Sequence, residues 1–372
     1  MPTNDTRIDK SDLSERLRER IRTAGPVSFH EWMQAALYDE REGYYCRPDR
    51  VRWGREGDYR TAPERSPLFA ATFARYFARL YAEMGHPSSW TIVEAGAGAG
   101  DFAHGVLESL ARRESPLLRA TRYVIDEISP ASRELLGARL SSFSEQLEFT
   151  SLSDLSQPIE GIIFSNELLD AFPVHRLIYR GGDWRELYVG LSPGEDFVWI
   201  ESERTDQSLT GYFESIDVNF SEGQIVEVNS DAEKWLKRAA GKVRRGFLIS
   251  VDYGGGPGTS FDNTERSNGS LRGFHRHGFV DDLLANPGKH DLTTTVDWTQ
   301  IKAAGERAGL RTIRFERLDE FLMQEGLLDE LERSCDEQSS SAEVLRLRTS
   351  AREMIMPNGM ASSFQVLIQQ RN

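Results

Sequence analysis

Cysteine is nearly absent: Cys46 and Cys335 are the only two in 372 residues, far apart and without a CxxC pair, which excludes a disulfide framework or a thiolate zinc site. No apolar run approaches the roughly 20 residues a membrane-spanning helix needs, so no membrane span is expected. Positive charge is also short. Forty-five Lys and Arg face 59 Asp and Glu, and the formal net charge of −14 repels a phosphate backbone, so nucleic acid is not an expected partner. The first residues lack an apolar stretch and interleave acids with bases (Asp5, Arg7, Asp9, Lys10, Asp12), unlike a secretory or transit signal, and a cytoplasmic protein is expected.

What is present is an alternation of helical and strand patterns. In SDLSERLRERIRT, Leu13, Leu17 and Ile21 recur every four residues, predicting an amphipathic helix behind a Ser11 cap. A second helix, FHEWMQAALYD, is led by Ser28. Gly54, Gly57, Pro63 and Pro67 punctuate a loop over residues 53–67, long enough to expect a functional role. Short apolar runs at 90–94 (WTIVE), 123–128, 147–150 and 161–165 (GIIFS) read as strands separated by helices, which implies a parallel sheet. From about 175 to 226 the pattern becomes an alternation of polar and apolar residues around Gly181-Gly182, as expected of hairpins forming an inserted lid. The core then resumes with a helix at 232–240, a strand at 246–252, a helix at 298–308 and a last strand at 363–369.

The first of these strands runs into Glu94-Ala-Gly96-Ala-Gly98-Ala-Gly100 and then a helix. An acid followed by alternating glycines in this place suits S-adenosylmethionine. The glycines admit the methionyl part to the backbone, the helix offers its N-terminus to a carboxylate, and Glu94 can accept from the amino group. Asp126 and Glu127 end the second strand, where a carboxylate can bind ribose hydroxyls, and Glu127 is the better placed. Asp154, beyond strand three, is assigned to the adenine edge by chain order. The alternative is a dinucleotide, since Gly98-Ala-Gly100-Asp-Phe-Ala103 satisfies G-x-G-x-x-A. Against it, the acids follow Gly100 by 26 or 27 residues rather than about 20.

Strand four ends in Ser165-Asn166-Glu167-Leu168-Leu169-Asp170, at the end of the sheet where a methyl acceptor belongs. Asn166 and Glu167 can hold an acceptor nitrogen, and Glu167 with Asp170 can pair with a guanidinium. The plainer role for Asn166 and Asp170 is to cap a following helix. His277 can orient an acceptor or remove its proton. His275 lies two residues away, but no ligand set surrounds the pair and no metal is expected.

Several segments in order carry a family resemblance: GPVSFHEWMQAALYDEREGYY, GDYRTAPERSPLF, the glycine loop, EISP, NELLDAFPVH, VDYG and GSLRGFHRHGFVDDLLANPGKHDLTTTVDW. The chain resembles the MidA-like family, which includes a mitochondrial assembly factor for respiratory complex I. The resemblance implies a class I, Rossmann-like methyltransferase: a doubly wound α/β sheet with N-terminal helices and an inserted β-rich lid. It also implies S-adenosyl-L-methionine as cofactor and arginine N-methylation of a protein, with a complex I subunit as partner. Within the family motif, Asp58 and Thr61 are expected to close over the cofactor. The block NELLDAF is similar to the acidic loop of symmetric protein arginine methyltransferases, which gives Glu167 and Asp170 the acceptor. Departures stand at Ala97, Ala99 to Asp101 and Arg65-Ser66.

The expected division is an N-terminal helical region and closing loop at 1–85, a cofactor-binding core at 86–175, the lid at 176–228 and the rest of the core at 229–372. Monomer and homodimer are both compatible with it. The alternatives to a protein methyltransferase are an assembly chaperone with a vestigial cofactor pocket and a small-molecule methyltransferase.

Overall fold

The computed structural model describes residues 12–47, 52, 57–58, 62–203, 205–213, 216, 218–256, 267–338, 340–357 and 359–372. Asp12 caps α1 (Leu13–Ala24), its carboxylate accepting the Glu15 N–H, while the expected cap Ser11 lies outside the described residues. β1 (Val27–Ser28) leads into α2 (Phe29–Tyr38), where Ser28 and Glu31 form a reciprocal capping box. Residues 53–67 are not a loop throughout. α3 (Ala62–Arg65) is one helical turn, and Ser66 caps α4 (Pro67–Glu83), with Pro67 in the first turn where its missing N–H costs nothing.

The core then alternates as the apolar runs suggest: β2 (Trp90–Ala95), α5 (Asp101–Arg113), α6 (Ser115–Ala120), β3 (Thr121–Asp126), α7 (Pro130–Arg139), β4 (Leu147–Phe149) and β5 (Ile159–Asn166). β6 (His175–Arg180), β7 (Asp183–Leu191), β8 (Phe197–Glu201), the turn α8 (Gln207–Thr210) and β9 (Ile225–Val228) follow. After α9 (Ser230–Lys242) and β10 (Val243–Gly255) come the short strands β11 (Arg272–His275), β12 (Gly278–Phe279), β13 (Asp291–Thr293) and β14 (Val296–Asp297). The chain closes through α10 (Trp298–Arg307), β15 (Arg311–Arg317), α11 (Leu318–Gln324), α12 (Leu327–Asp336), α13 (Ser341–Ile355) and β16 (Phe364–Arg371).

The main sheet runs β15-β16-β10-β5-β2-β3-β4, with β14 beside β10. It is parallel from β10 to β4, and β16 and β15 pair antiparallel. Successive residues of a strand face opposite sides, and the central strands supply two cores at once. Trp90, Ile92, Ile162, Phe164, Phe247 and Ile249 pack on one face with α4 and α5. Val93, Ala95, Ile163 and Leu248 pack on the other with α9 and α10. On the first face Phe102 of α5 stacks on Phe164 with ring centroids 4.1 Å apart. Burying one such side chain contributes about 1.5–3 kcal/mol.

The hairpins at 175–228 are not a free-standing insert. β7 pairs with β1 through Val27 and Val189, and α1, α2, Val189, Leu271, Leu284 and Leu292 share one apolar cluster. The segments expected as the N-terminal region, the lid and part of the later core thus pack as one unit beside the sheet. The Gly181-Gly182 turn takes φ of 60° and 87°, as a two-residue hairpin turn with both centres left-handed requires. In the run 318–355, for which the sequence pattern predicted no element, stand the three helices α11, α12 and α13, and Leu318, Phe321, Leu327, Ala351 and Met354 cover the face that holds α4.

Candidate functional site

β3 and β4 follow β2 on one side and β5 lies on its other side, so the strand order reverses between β2 and β5. At the carboxyl ends of these strands, where such a reversal opens a crevice, lies a cavity of about 750 Å³. One half is lined by Glu94, Gly96, Gly98, Asp126, Glu127 and Ile128. Gly96, Gly98 and Gly100 have φ of 73°, 56° and 79°, which only glycine adopts without strain. Gly100 does not line the cavity. It caps α5 in the left-handed conformation, and a Cβ there would come within 2.3 Å of Leu136 Cδ2.

The acids in this half are held by backbone and hydroxyl donors. Glu127 accepts the Gly98 N–H at 3.1 Å through Oε2 and the Ser129 N–H at 2.8 Å through Oε1. Burial pushes its pKa up, and these two donors and the Arg52 guanidinium oppose the rise. Arg52 is itself buried and donates to Ser132 Oγ at 2.9 Å. Glu94 is enclosed and accepts the Tyr123 hydroxyl at 2.6 Å, and burial raises its pKa to about 8. Asp126 accepts the Leu152 N–H at 3.0 Å.

Three further expected site residues, Asp154, Asp58 and His277, stand off the cavity wall. Asp154 is exposed, exchanging hydrogen bonds with Ser151 in a turn, and is not on the cavity wall: chain order located the loop but not the direction of the side chain. Asp58 is buried outside the lining, accepting from the Tyr44 hydroxyl at 2.8 Å and the Arg276 N–H at 2.7 Å. His277 is exposed at φ 63° in the β11–β12 turn, its N–H donating to the Asp58 carbonyl at 3.1 Å. The fold joins Asp58 to the histidine turn, His275 Nδ1 included at 3.4 Å, but outside the cavity lining. Thr61 lies outside the described residues.

The other half of the cavity carries Asn166, Glu167 and Asp170. No helix follows them before β6, so they are not caps. Glu167 has φ 50°, a conformation uncommon for a side-chain-bearing residue and frequent at functional sites. Its N–H donates to the Val251 carbonyl at 2.9 Å. Burial and then the neighbouring Asp170 raise its pKa to about 8, opposed by the Asn166 side-chain amide, which donates at 3.1 Å, and by the Ala62 N–H. Asn166 Oδ1 and Asp170 Oδ1 are buried without a hydrogen-bond partner among the described residues. Asp252, fully buried, accepts the N–H groups of Leu169 and Asp170 at 2.9 and 3.3 Å.

Four further residues complete this half. The Tyr253 hydroxyl faces Asp170, and the Arg272 guanidinium lies over the Tyr253 ring at 5.1 Å. Tyr45 donates to Asp291 Oδ1 at 2.7 Å, and burial raises the Asp291 pKa to about 7. These residues belong to the segments EGYY, VDYG, GSLRG and KHDL that carry the family resemblance, so a signal was present, but nothing local assigns them to the site. Among the described residues no group of His, Cys, Asp and Glu could hold a metal ion, and no helix is long and apolar enough to cross a membrane.

The glycine half fits S-adenosylmethionine. Gly96 and Gly98 put no side chain between the backbone and the cavity, the buried carboxylates Glu94 and Glu127 line it, and the volume suits a ligand of that size. Comparison with known proteins agrees. Residues 72–316 match the family described as "Putative S-adenosyl-L-methionine-dependent methyltransferase". A Burkholderia thailandensis protein solved with S-adenosyl-homocysteine superimposes with a TM-score of 0.85 at 28% identity, covering 96% of this chain and 92% of that one. The mitochondrial protein arginine methyltransferase NDUFAF7 homolog of Caenorhabditis elegans is 27% identical over 306 residues, 77% of this chain and 70% of the relative. NDUFAF7 of Homo sapiens is 26% identical over 327 residues, 80% and 70%. These relatives are named mitochondrial, which overturns the expectation of a cytoplasmic protein: the acid-rich start of the chain is no guide to location. The chain belongs to the S-adenosyl-L-methionine-dependent methyltransferase family matched by residues 72–316, and S-adenosyl-L-methionine is its cofactor.

Proposed function

We propose that the protein methylates a nitrogen of an arginine side chain in a protein, and that Glu167 grips the guanidinium. The observation that carries this is Glu167 itself: a half-buried carboxyl held at φ 50° at the carboxyl end of β5, in the wall of the cavity that also contains the glycine loop. The names of the curated relatives support arginine as the acceptor. In the division of labour we propose, Glu94 takes the cofactor's amino group, Glu127 the ribose hydroxyls, and Gly96 and Gly98 its methionyl part.

The cofactor supplies an electrophilic methyl on a sulfonium, so transfer breaks one S–C bond, makes one N–C bond and releases one proton from the acceptor nitrogen. The chain's own residues align and desolvate. Glu167, protonated near neutral pH before the substrate binds, ionises as the guanidinium enters, because an opposite charge at close range favours the charged form. Asn166 Oδ1 and Asp170 Oδ1, without partners among the described residues, accept further guanidinium N–H groups. A respiratory-complex subunit is the first protein acceptor to offer.

Glu167→Gln keeps the shape and removes the charge. Methyl transfer to an arginine-containing protein should fall at least a hundredfold, while S-adenosylhomocysteine titrates as in the wild type. Turnover retained within a factor of three would take the acceptor away from Glu167.

A further inference from the structure

Beyond the groups that suit a guanidinium, the acceptor half holds one donor left over. Arg272 comes from β11, and its guanidinium reaches the cavity wall across the Tyr253 ring. One terminal nitrogen donates to Thr295 Oγ1 at 3.2 Å. Its Nε is buried without a hydrogen-bond partner among the described residues. A buried guanidinium N–H with no acceptor costs free energy, and the cost is removed when a bound molecule brings an oxygen to it. On the wall of the same cavity the unpartnered atoms Asn166 Oδ1 and Asp170 Oδ1 are acceptors. The same wall therefore asks for a ligand donor at Asn166 and Asp170 and for a ligand acceptor at Arg272.

We propose that Arg272 is a specificity-determining residue whose Nε–H receives a main-chain carbonyl oxygen of the substrate, so that the site selects an arginine within a polypeptide over a free guanidinium compound. The inference rests on the guanidinium reading above and adds the second point of contact. Two contacts at fixed separation orient the acceptor side chain. A single carboxylate would leave it free to turn about its own axis. Stacking on Tyr253 fixes the plane of the Arg272 fork, and Thr295 fixes its rotation, so Nε is presented in one direction.

The test uses the full chain saturated with S-adenosylhomocysteine and titrated with two probes. Agmatine carries a guanidinium and no carbonyl; Nα-acetyl-arginine N-methylamide carries the same guanidinium and two main-chain carbonyls. The wild type should bind the capped arginine about tenfold more tightly, the factor expected of one hydrogen bond from a charged donor. Arg272→Lys keeps the positive charge beside Tyr253 and puts a methylene where Nε–H stood. It should bind both probes alike while its agmatine affinity stays within a factor of three of the wild type. An unchanged melting temperature of the variant reports that it is folded. Equal binding of the two probes by the wild type, or a preference that survives in Arg272→Lys, overturns the proposal and leaves the guanidinium reading standing. Failure of both probes to bind overturns both. Loss of S-adenosylhomocysteine affinity in Arg272→Lys would assign the donor to the cofactor's carboxylate and overturn the proposal alone.

Discussion

Tyr123 donates its hydroxyl to Glu94 at 2.6 Å in a position closed to solvent, so the acid to which we assign the cofactor's amino group has one fixed partner before the cofactor arrives. Tyr123 stands on β3 and Glu94 on the neighbouring β2, with Glu94 paired to Ile125 across the ladder. The contact thus depends on strand register, and a one-residue slip would abolish it.

Burial of Glu94, which that contact only partly offsets, makes cofactor binding sensitive to pH. Burial raises Glu94 from 4.5 to about 8, and Glu167 rises to the same value for the same first cause. A raised folded value contributes stability that is full below about 4.5 and is lost as pH climbs through about 8, because above that point the native state holds carboxylates in a poorly solvated place. The melting temperature of the cofactor-free protein should decline between these limits, and S-adenosylhomocysteine should release protons on binding at pH 7, read as a buffer-dependent heat. Tyr123→Phe removes a donor that favours the carboxylate and should weaken S-adenosylhomocysteine about tenfold at pH 7. A buffer-independent heat would show that Glu94 is already ionised.

Gly100→Ala tests the cap of α5. A side chain at φ 79° costs about 1–2 kcal/mol, and its Cβ must displace Leu136, found 2.3 Å away. Overpacking adds about 1–3 kcal/mol, so urea denaturation should register a loss of about 2–5 kcal/mol. A loss under 1 kcal/mol would mean that α7, which carries Leu136, shifts at little cost.

Asp252 positions the acceptor loop without facing the cavity. Asp252→Ala leaves the N–H groups of Leu169 and Asp170 without their acceptor and should destabilise the protein by about 2–4 kcal/mol. Turnover should drop more than S-adenosylhomocysteine affinity, since the loop that moves carries Glu167 and not the glycines. Wild-type turnover in a folded Asp252→Ala protein would show that the loop keeps its shape unaided.

Some features are local, and the sequence by itself determined them. The strand at 90–95, the glycines at 96, 98 and 100 and the helix beginning at Asp101 are legible because strand, left-handed turn and helix each impose a short-range requirement on residue type. Glu167 is legible because an acid directly after a buried strand must be used or paired. Where a side chain points once the chain leaves the strand is not written in order or spacing, and so Asp154 turns to Ser151 and Asp58 to the histidine turn. Only the tertiary structure brought Tyr45, Tyr253, Arg272 and Asp291 to one wall with Glu167. They come from four segments spread over the chain, and what joins them is the burial of separate apolar faces against a common sheet and a neighbouring cluster. That is a long-range condition which no window of sequence contains.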